Sequence, residues 1–403
     1  MKWEKVKLGD LYTVHNGLSK GKKFFGTGFP FLSFSIVFNK WFIPEQLYDL
    51  VEVDEKERNS YSIKKGDVFI TRTSETMEEL GMSTVALKDY PNATYNGFTK
   101  RLRPITELLE PRFIGYYLRT PEFRGKFMAF SAMTTRASLT NDDLLSLEVP
   151  VPPLPVQQRI AYILSAYDDL IENNQKQIKL LEEAAQRLYK EWFVDLRFPG
   201  HEGVKVVDGV PEGWKKVRLD EVTSVLKRGI SPKYDENGEF TVINQKCIRK
   251  NIVDYSESRK QSKKYAEELQ LQESDTVICS TGIGTLGRVG QIYNVYQNST
   301  FDSHVTLVRA NKLIGKQFLF WSLKLLQPYL MSLGKGSTNQ QELYKSDLTA
   351  CFLLVPEEYI MNAFERQAQE LHDIIAVKTK QISSLREARD RLLPKLMSGE
   401  IEV

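Results

Sequence analysis

The sequence predicts an α+β fold with a pseudo-two-fold internal repeat: two β-rich globular domains joined by two long helices that pack as an antiparallel coiled coil. Three observations predict this fold. Segments in the two halves of the chain recur at a nearly fixed offset, and two long helical segments carry a heptad stripe of apolar residues. The segments that precede them are rich in β-branched residues separated by turn residues.

The internal repeat is clearest in the helical segments. Gln177, Leu181 and Arg187 return 204 residues later as Gln381, Leu385 and Arg391. Near the start of each half, Trp3-x-x-Val6-Lys7-Leu8 returns as Trp214-x-x-Val217-Arg218-Leu219, shifted by 211 residues. The chain therefore consists of two copies of one unit, whose ends stay in register while their middles diverge.

The two helical segments should pack on each other. Residues 156–191 contain neither proline nor glycine, and the second copy of the stripe lies between Pro356 and Pro394. A lone helix would expose its stripe, so we expect a coiled coil in which Leu181 and Leu385 are both buried. Two amphipathic helices on separate domains are the alternative. The expected contact residues are Leu164, Ile171, Ile178, Leu181, Leu188, Leu371, Ile375, Ile382, Leu385 and Leu392.

Each middle segment is predicted to be an α+β domain with a β-rich core. Residues 66–70 and 274–278 are matching turn-then-strand units, and residues 95–98 align with 301–304 near the end of a strand. Short helices are expected at 113–118 and 318–326. The expected domains are a first globular domain at 1–153, a helical spacer at 154–198, a second globular domain at 199–355 and a helical spacer at 356–403.

Composition excludes several classes of protein. A hydrophobic content of 41% with 27% charged residues describes a globular chain, with no apolar run of membrane-spanning length and no signal peptide. Three cysteines without Cys-x-x-Cys spacing and four scattered histidines favour a cytoplasmic protein without a metal site. The two globular segments carry a combined charge of +6 and the helical ones −3. Any polyanion should therefore bind the globular segments.

No common catalytic signature is present, so we predict no catalytic residue. Gly282-x-Gly284-x-x-Gly287 resembles a dinucleotide-binding loop, but a strand-like segment follows it where that fold needs a helix. A Walker A sequence and the Asn/Asp-Pro-Pro-aromatic tetrapeptide of amino-methyltransferases are missing. Asp54-Glu55-Lys56 has a nuclease-like spacing, but it is better explained as part of a solvated run of charges.

Basic and polar clusters recur at comparable places in the two globular segments. Arginine and lysine can pair with guanine in the major groove of DNA, and asparagine and glutamine with adenine. Each cluster alone could be a solvated loop, but their occurrence in both copies favours contact with DNA. The candidate DNA-binding residues are Lys20, Lys22, Lys23, Arg72, Thr73, Arg136, Lys227, Arg228, Asn244, Gln245, Lys246, Thr281, Arg288 and Lys335.

The helices carry a family resemblance. Pro152-Pro153-Leu154-x-x-Gln157, with residues 168–174 and 188–193, resembles the central conserved region of type I restriction–modification specificity subunits. Residues 211–214 and 389–400 look like other landmarks of that family. One departure is visible, because the second helix begins Pro356-Glu357-Glu358-Tyr359 without the Pro-Pro-Leu-x-x-Gln opening.

The resemblance implies a non-catalytic DNA-recognition subunit. Two target-recognition domains would each read half of a split, asymmetric sequence in double-stranded DNA. The helices would space the domains and dock two methyltransferase subunits. S-adenosylmethionine would belong to those partners, and ATP and Mg to a motor–nuclease (restriction) subunit, leaving this chain without a cofactor. A DNA-binding nuclease with a cryptic site and a non-catalytic coiled-coil adaptor are the alternatives.

Overall fold

The fold is given by a computed structural model that describes residues 3–74, 80–129, 137–138, 140–282, 284–335 and 341–403. For residues 73, 74, 137 and 138 it describes the backbone alone. The chain forms two compact units. Unit 1 comprises residues 1–170 and 385–403, and unit 2 comprises residues 171–384.

Unit 1 combines small sheets with short helices. Its strands are β1 (Lys5–Lys7), β2 (Tyr12–Asn16), β3 (Phe25–Leu32), β4 (Leu50–Val51), β5 (Val68–Thr71), β6 (Thr73–Ser74), β7 (Ser83–Val85), β8 (Thr94–Tyr95), β9 (Thr99–Pro104), β10 (Ala137–Ser138) and β11 (Glu148–Pro150). Its helices are α1 (Leu8–Leu11), α2 (Phe34–Asn39), α3 (Glu55–Ser60), α4 (Pro111–Tyr117), α5 (Pro121–Ala129) and α6 (Asn141–Ser146). In the described residues the main sheet has the order β2-β9-β5-β7, and a smaller sheet has the order β4-β3-β8.

Two long helices, α7 (Leu154–Phe193) and α11 (Glu358–Ser398), are each divided between the units. In unit 1 the first part of α7 and the last part of α11 share one hydrophobic core, which includes Ile160, Leu164 and Leu396. In unit 2 the last part of α7 packs against the first part of α11, where Phe193 lies 4.9 Å from Phe364 between ring centroids. The predicted antiparallel pairing of the two long helices is therefore confirmed.

Unit 2 repeats this plan with more strands. Its strands are β12 (Val206–Val207), β13 (Val210–Pro211), β14 (Lys215–Arg218), β15 (Thr223–Arg228), β16 (Phe240–Ile243), β17 (Ile248–Arg249), β18 (Ile252–Val253), β19 (Arg259–Gln261), β20 (Thr276–Cys279), β21 (Val289–Gln291), β22 (Ser299–Phe301), β23 (Val305–Ala310) and β24 (Phe352–Val355). Its short helices are α8 (Lys316–Leu325), α9 (Gln327–Ser332) and α10 (Lys345–Thr349). The main sheet of the described part has the order β15-β23-β20-β21-β18-β17.

The internal repeat holds at the level of strand pairing. The order β2-β9-β5-β7 in unit 1 matches β15-β23-β20-β21 in unit 2, and the parallel pair β3-β8 matches β16-β22. The turns before β5 and β20 also match, since Gly66 and Ser274 both adopt positive φ, at 86° and 66°. Serine pays a steric cost there that glycine does not. The repeat predicted from the sequence is thus a repeat of topology.

A buried ion pair occupies equivalent places in the two main sheets. Arg103 donates two hydrogen bonds to Asp67, at 2.8 and 2.6 Å, and Arg309 donates two to Asp275, at 2.8 and 2.7 Å. Each aspartate also accepts a backbone N–H bond of 2.7 Å from the preceding turn, from Lys64 in unit 1 and from Gln272 in unit 2. Each carboxylate thereby joins the turn before β5 or β20 to the neighbouring strand, β9 or β23, on which the arginine lies.

The structure extends one helix past a proline and corrects the predicted burial of two leucines. Helix α11 continues through Pro394 to Ser398. Proline removes one helical hydrogen bond, but the buried side chains of Leu393, Leu396 and Met397 hold this last part of the helix against unit 1. Leu181 and Leu385 are half-buried, whereas we expected both to be buried.

The remaining contact residues vary in burial. Leu164, Ile171, Ile178, Ile375 and Ile382 are buried, and Asn174 is buried on the same helix as the first three. The other three residues, Leu188, Leu371 and Leu392, are partly buried against the hydrophobic cores.

Candidate nucleic-acid interface

A turn in unit 1 that exposes the side chain of Phe98 is fixed by backbone hydrogen bonds from two directions. The side chain of Asn96 accepts a bond of 2.8 Å from the backbone N–H of Phe98, which closes the turn. The N–H of Leu18 donates to Tyr95 at 3.0 Å, and the N–H of Arg72 donates to the carbonyl of Phe98 at 3.0 Å. We name residues 96–98 the unit 1 tip.

Unit 2 builds the same turn from different side chains. Asp302 accepts a bond of 2.9 Å from the backbone N–H of His304. The N–H of Gly229 donates to Val305 at 2.9 Å, and the N–H of Ser280 donates to the carbonyl of His304 at 2.8 Å. We name residues 302–304 the unit 2 tip.

A glycine presses against each tip. A Cβ added at Gly17 would lie 1.9 Å from the carbonyl oxygen of Asn96, and one added at Gly229 would lie 2.3 Å from that of Asp302. Both distances are far below any real contact, so only glycine allows the backbone to approach this closely. Each tip is therefore held at a fixed position relative to its main sheet.

Charged side chains surround the unit 2 tip. Arg228 donates to the carbonyl of Ser303 and, at 3.2 and 3.3 Å, to the carboxylate of Glu342. These bonds hold the pKa of Glu342 below its usual value, with the charge of Arg228 acting in the same direction. Lys335 reaches the same place through its backbone, which donates to Glu342 at 3.0 Å, while its ammonium group pairs with Asp347 at 2.6 Å.

Polar side chains complete this cluster. The hydroxyl of Thr281 lies 2.6 Å from Nδ1 of His304 and 3.3 Å from Oε1 of Gln245. Asn244 is buried, with its amide donating to Glu257 at 2.9 Å and its carbonyl accepting from Lys246 at 2.7 Å. The candidates Arg228, Gln245, Thr281 and Lys335 thus come together at the unit 2 tip, whereas Asn244 shapes the loop behind it.

Three further unit 2 candidates are placed differently. Lys227 precedes Arg228 on β15, so its side chain points to the other face of the sheet, where it pairs with Glu268. Arg288 is half-buried beside Lys324 of α8. Burial lowers the pKa of Lys324, and the charge of Arg288 lowers it further, whereas the charge of Glu182 raises it. Lys246 is exposed on the loop that begins at Asn244.

The basic segment of unit 1 follows Leu18, whose backbone N–H bonds to Tyr95 beside the unit 1 tip. Lys20 pairs with Glu57 at 2.7 Å and donates to the carbonyl of Glu52 at 2.8 Å. The ammonium groups of Lys20 and Lys23 each lie 4.9 Å from the ring centre of Phe24. Lys22 and Lys23 are exposed. Two of the three lysines therefore remain accessible to a polyanion.

Arg72 begins a second cationic cluster beside the unit 1 tip. Its Nε is buried and has no hydrogen-bond partner among the described residues. Lys100, on the adjacent strand, is only 5% exposed and donates to Asn141 at 2.5 Å. Burial lowers the pKa of Lys100, and the charge of Arg72 lowers it further, against the opposing charges of Asp143 and Asp142.

The loops around residues 73 and 281 also correspond. Strand β6, which contains Thr73, pairs with β10 in unit 1, and Thr281 forms a bridge with Glu342 in unit 2. Arg136, the residue before β10, lies outside the described residues. The chain segments that follow β5 and β20 are thus each paired with a later part of their own unit.

Sequence reasoning missed three residues at these sites: Phe98, His304 and Lys100. The alignment of residues 95–98 with 301–304 placed the first two near a strand end, but neither has the charge or amide that we searched for. Lys100 was missed because a lysine inside a strand of alternating charges gives no sign of being buried.

Two motifs resolve as the sequence indicated. Gly282, Gly284 and Gly287 all have positive φ, and the strand β21 follows them, so the segment is a loop between strands. Asp54 caps α3, with its side chain accepting from Glu57 at 2.7 Å. Each motif thus has a structural role, the first as a loop between strands and the second as a helix cap.

One group among the described side chains has ligand atoms close enough for a metal ion. Atoms of Glu273, His372 and Asp373 lie within 4.8 Å of one another. His372 is buried and stacks on Tyr293 at 4.5 Å between ring centres, and burial lowers the pKa of its imidazole. The stacked and hydrogen-bonded ring is accounted for by packing.

The repeated fold places cations beside one tip in each unit, which is an arrangement typical of nucleic-acid-binding proteins. A family model described as the type I restriction modification DNA specificity domain matches residues 1–183 and 211–378. The chain therefore belongs to the type I restriction–modification specificity family.

Similar proteins cover nearly the whole chain. The type I restriction enzyme MjaIX specificity subunit of Methanocaldococcus jannaschii is 26% identical over 100% of this chain and 94% of its own length. The HindI specificity subunit of Haemophilus influenzae is 23% identical, covering 99% of both chains. A crystal structure of the type I restriction–modification S subunit of M. genitalium matches with a TM-score of 0.58 and 17% identity, over 98% of this chain and 96% of that one. The fold is thus shared along its full length.

Every helix in the described part of the chain is too short or too polar to cross a membrane.

Proposed function

We propose that this DNA specificity subunit reads a bipartite, asymmetric sequence in double-stranded DNA, with each unit contacting one half through its tip and the adjoining cations. The observation that carries the proposal is that one backbone framework occurs twice while its exposed side chains differ. Two copies of one framework suit two half-sites, and different side chains suit two different sequences.

We further propose that the chain supplies recognition and no catalysis. The long helices would space the two units and dock two methyltransferase subunits, one for each copy of the helical motif. S-adenosylmethionine would be held by those partners, and ATP and Mg by motor–nuclease subunits of the complex, which would act on DNA in the cytoplasm. The membership of the family and the repeated helices support this arrangement.

Exchange of one globular segment tests the bipartite proposal. Residues 206–355 are replaced by the equivalent segment of a related specificity chain, and modified bases are sequenced in cells that carry the hybrid with its partners. We expect one half of the methylated sequence to change, while the other half and the gap length stay the same. A change in both halves together would contradict independent reading by the two units.

Binding by the purified chain separates the alternatives. Phosphate contacts release counterions, so we expect weak binding that falls roughly a thousandfold or more between 50 and 200 mM salt and tightens when methyltransferase is added. Fluorescence anisotropy with duplex DNA measures this. A coiled-coil adaptor would bind no DNA at any salt concentration, and cleavage by the chain alone with a divalent metal would indicate a nuclease.

A further inference from the structure

The two tips differ at one exposed position that has the same support in both units. We infer that Phe98 and His304 are specificity-determining residues, each reading a base in its own half of the DNA site. This inference rests on the proposed function, and it adds which residues make the two half-sites differ. Three properties of the tips lead to it: equal support, exposed and different side chains, and an arginine beside each.

The support of the two residues is equal bond by bond. Each has its backbone N–H held by the side chain two residues earlier, at 2.8 Å for Phe98 and 2.9 Å for His304. Each has its carbonyl held by the backbone N–H of the residue that directly follows β5 or β20, at 3.0 and 2.8 Å. Gly17 and Gly229 pack closely against the tips. The backbone therefore fixes the point from which the side chain at this position extends, whichever residue stands there.

The exposed side chains differ in what they can contact. Phe98 is 59% exposed, although burying a phenyl ring is favourable, and such a ring can pack against the methyl group of thymine. His304 is exposed, and Thr281 holds its Nδ1 at 2.6 Å, so the opposite nitrogen, Nε2, is left for a hydrogen bond to a base edge. One tip therefore offers an apolar contact and the other a polar one.

An arginine accompanies each tip. Arg72 donates its backbone N–H to Phe98, and Arg228 donates its guanidinium to Ser303, the residue before His304. Arginine can contact phosphate and so hold a tip in a groove, and Arg228 does so on leaving Glu342, with which it is paired in the free chain. In both units a cation therefore lies beside a fixed, exposed side chain. A single aromatic residue exposed by chance would not produce the same arrangement twice.

Exposure alone does not select these residues. Tyr48 is 83% exposed, but its hydroxyl bonds to the neighbouring Gln46 at 2.9 Å, and its chain segment carries no tip. Tyr48→His is therefore a matched control for Phe98→His, since both replace an exposed aromatic residue in unit 1 by the same imidazole.

The experiment uses the complete complex of this chain with its methyltransferase. First the unaltered chain is mapped by sequencing methylated bases, and then Phe98→His, His304→Phe and Tyr48→His are compared on duplexes with single base-pair changes. We expect Phe98→His to alter the preference at one base pair of one half-site, by roughly 10- to 100-fold, and His304→Phe to do so in the other half-site. Tyr48→His should leave every preference unchanged.

The outcomes separate the inference from the proposed function. If the unaltered complex methylates no bipartite sequence, the proposed function fails. If it does, but both tip variants keep every preference, or lose methylation equally on all duplexes, Phe98 and His304 do not read bases. His304→Asn retains a polar side chain, and melting curves show whether each variant is folded. A folded Asn variant that loses methylation equally on all duplexes would also contradict the inference.

Discussion

The contribution of a single ion-paired carboxylate to the stability of this molecule depends on its burial. Asp67 and Asp275 are buried and each accepts two hydrogen bonds from an arginine, whereas Glu172 forms an exposed pair with Lys176 at 2.6 Å. A buried charge that loses its partner stays desolvated, but an exposed one is solvated by water. The repeated buried pair should therefore matter for stability, while the exposed one should not.

Replacing the buried aspartate tests this difference. We expect Asp275→Ala to lower the free energy of unfolding of unit 2 by about 3 kcal/mol, because Arg309 would remain buried without its partner. Glu172→Ala, the matched control on α7, should change it by less than about 1 kcal/mol. Urea unfolding of both variants measures the two effects. Equal losses of unfolding free energy in the two variants would contradict the idea that burial determines how much each ion pair contributes to stability.

Glu342 gives a prediction at the same scale for binding. Its carboxylate pairs with Arg228 and adds negative charge beside the unit 2 tip. Glu342→Gln should therefore tighten binding to every duplex and make it more dependent on salt, as Arg228 becomes available to phosphate. Asp347→Asn, which frees the ammonium of Lys335, provides a comparison. Anisotropy titrations at several salt concentrations would show whether affinity rises or stays constant.

The pH dependence of that ion pair follows from the direction of the shift. The pKa of Glu342 is lowered by the hydrogen bonds and charge of Arg228, so the pair is intact at neutral pH. It is lost as the pH falls through this lowered pKa. Acidification should therefore strengthen DNA binding by the unaltered chain, and Glu342→Gln should remove that part of the pH dependence.

Among the elements, helix α11 depends on aromatic packing near its start. Phe364 is fully buried, with the rings of Tyr189, Trp192 and Phe193 at 5.9, 6.0 and 4.9 Å between centroids. Phe364→Ala should lower the free energy of unfolding by about 3 to 5 kcal/mol. Tyr359→Ala, at a 56% exposed position of the same helix, should change it by no more than about 0.5 kcal/mol. Chemical denaturation followed by tryptophan fluorescence measures both.

The elements were predictable where a periodic pattern and a tertiary contact agree. The heptad stripe predicted both long helices, and the turn-then-strand units predicted β5 and β20. Pro394 does not end α11, although local propensity favours a helix end there, because buried side chains on both sides of it favour continuation. The half-burial of Leu181 and Leu385 was missed because a heptad pattern specifies a face but not how closely the facing helix approaches.

The candidate site was only partly predictable. Charged and amide residues at loop ends identified Arg228, Gln245, Thr281 and Lys335, which do come together. Asn244 has its amide engaged within its own loop, and Lys227 points away, because strand alternation and backbone satisfaction decide direction. Phe98 and His304 need the three-dimensional equivalence of the two tips before either stands out.

For the whole molecule, the division of the long helices sets an order of events during synthesis. Residues 385–403 belong to unit 1, yet they are translated after all of residues 171–384. At roughly 5–20 residues per second, that interval lasts about 10–40 seconds. Throughout it, Ile160 and Leu164 lack the covering side chains of Leu393 and Leu396. Unit 1 is thus begun first and completed last. A ribosome that pauses late in the message would leave its unfinished apolar surface open to chaperones or to another nascent chain.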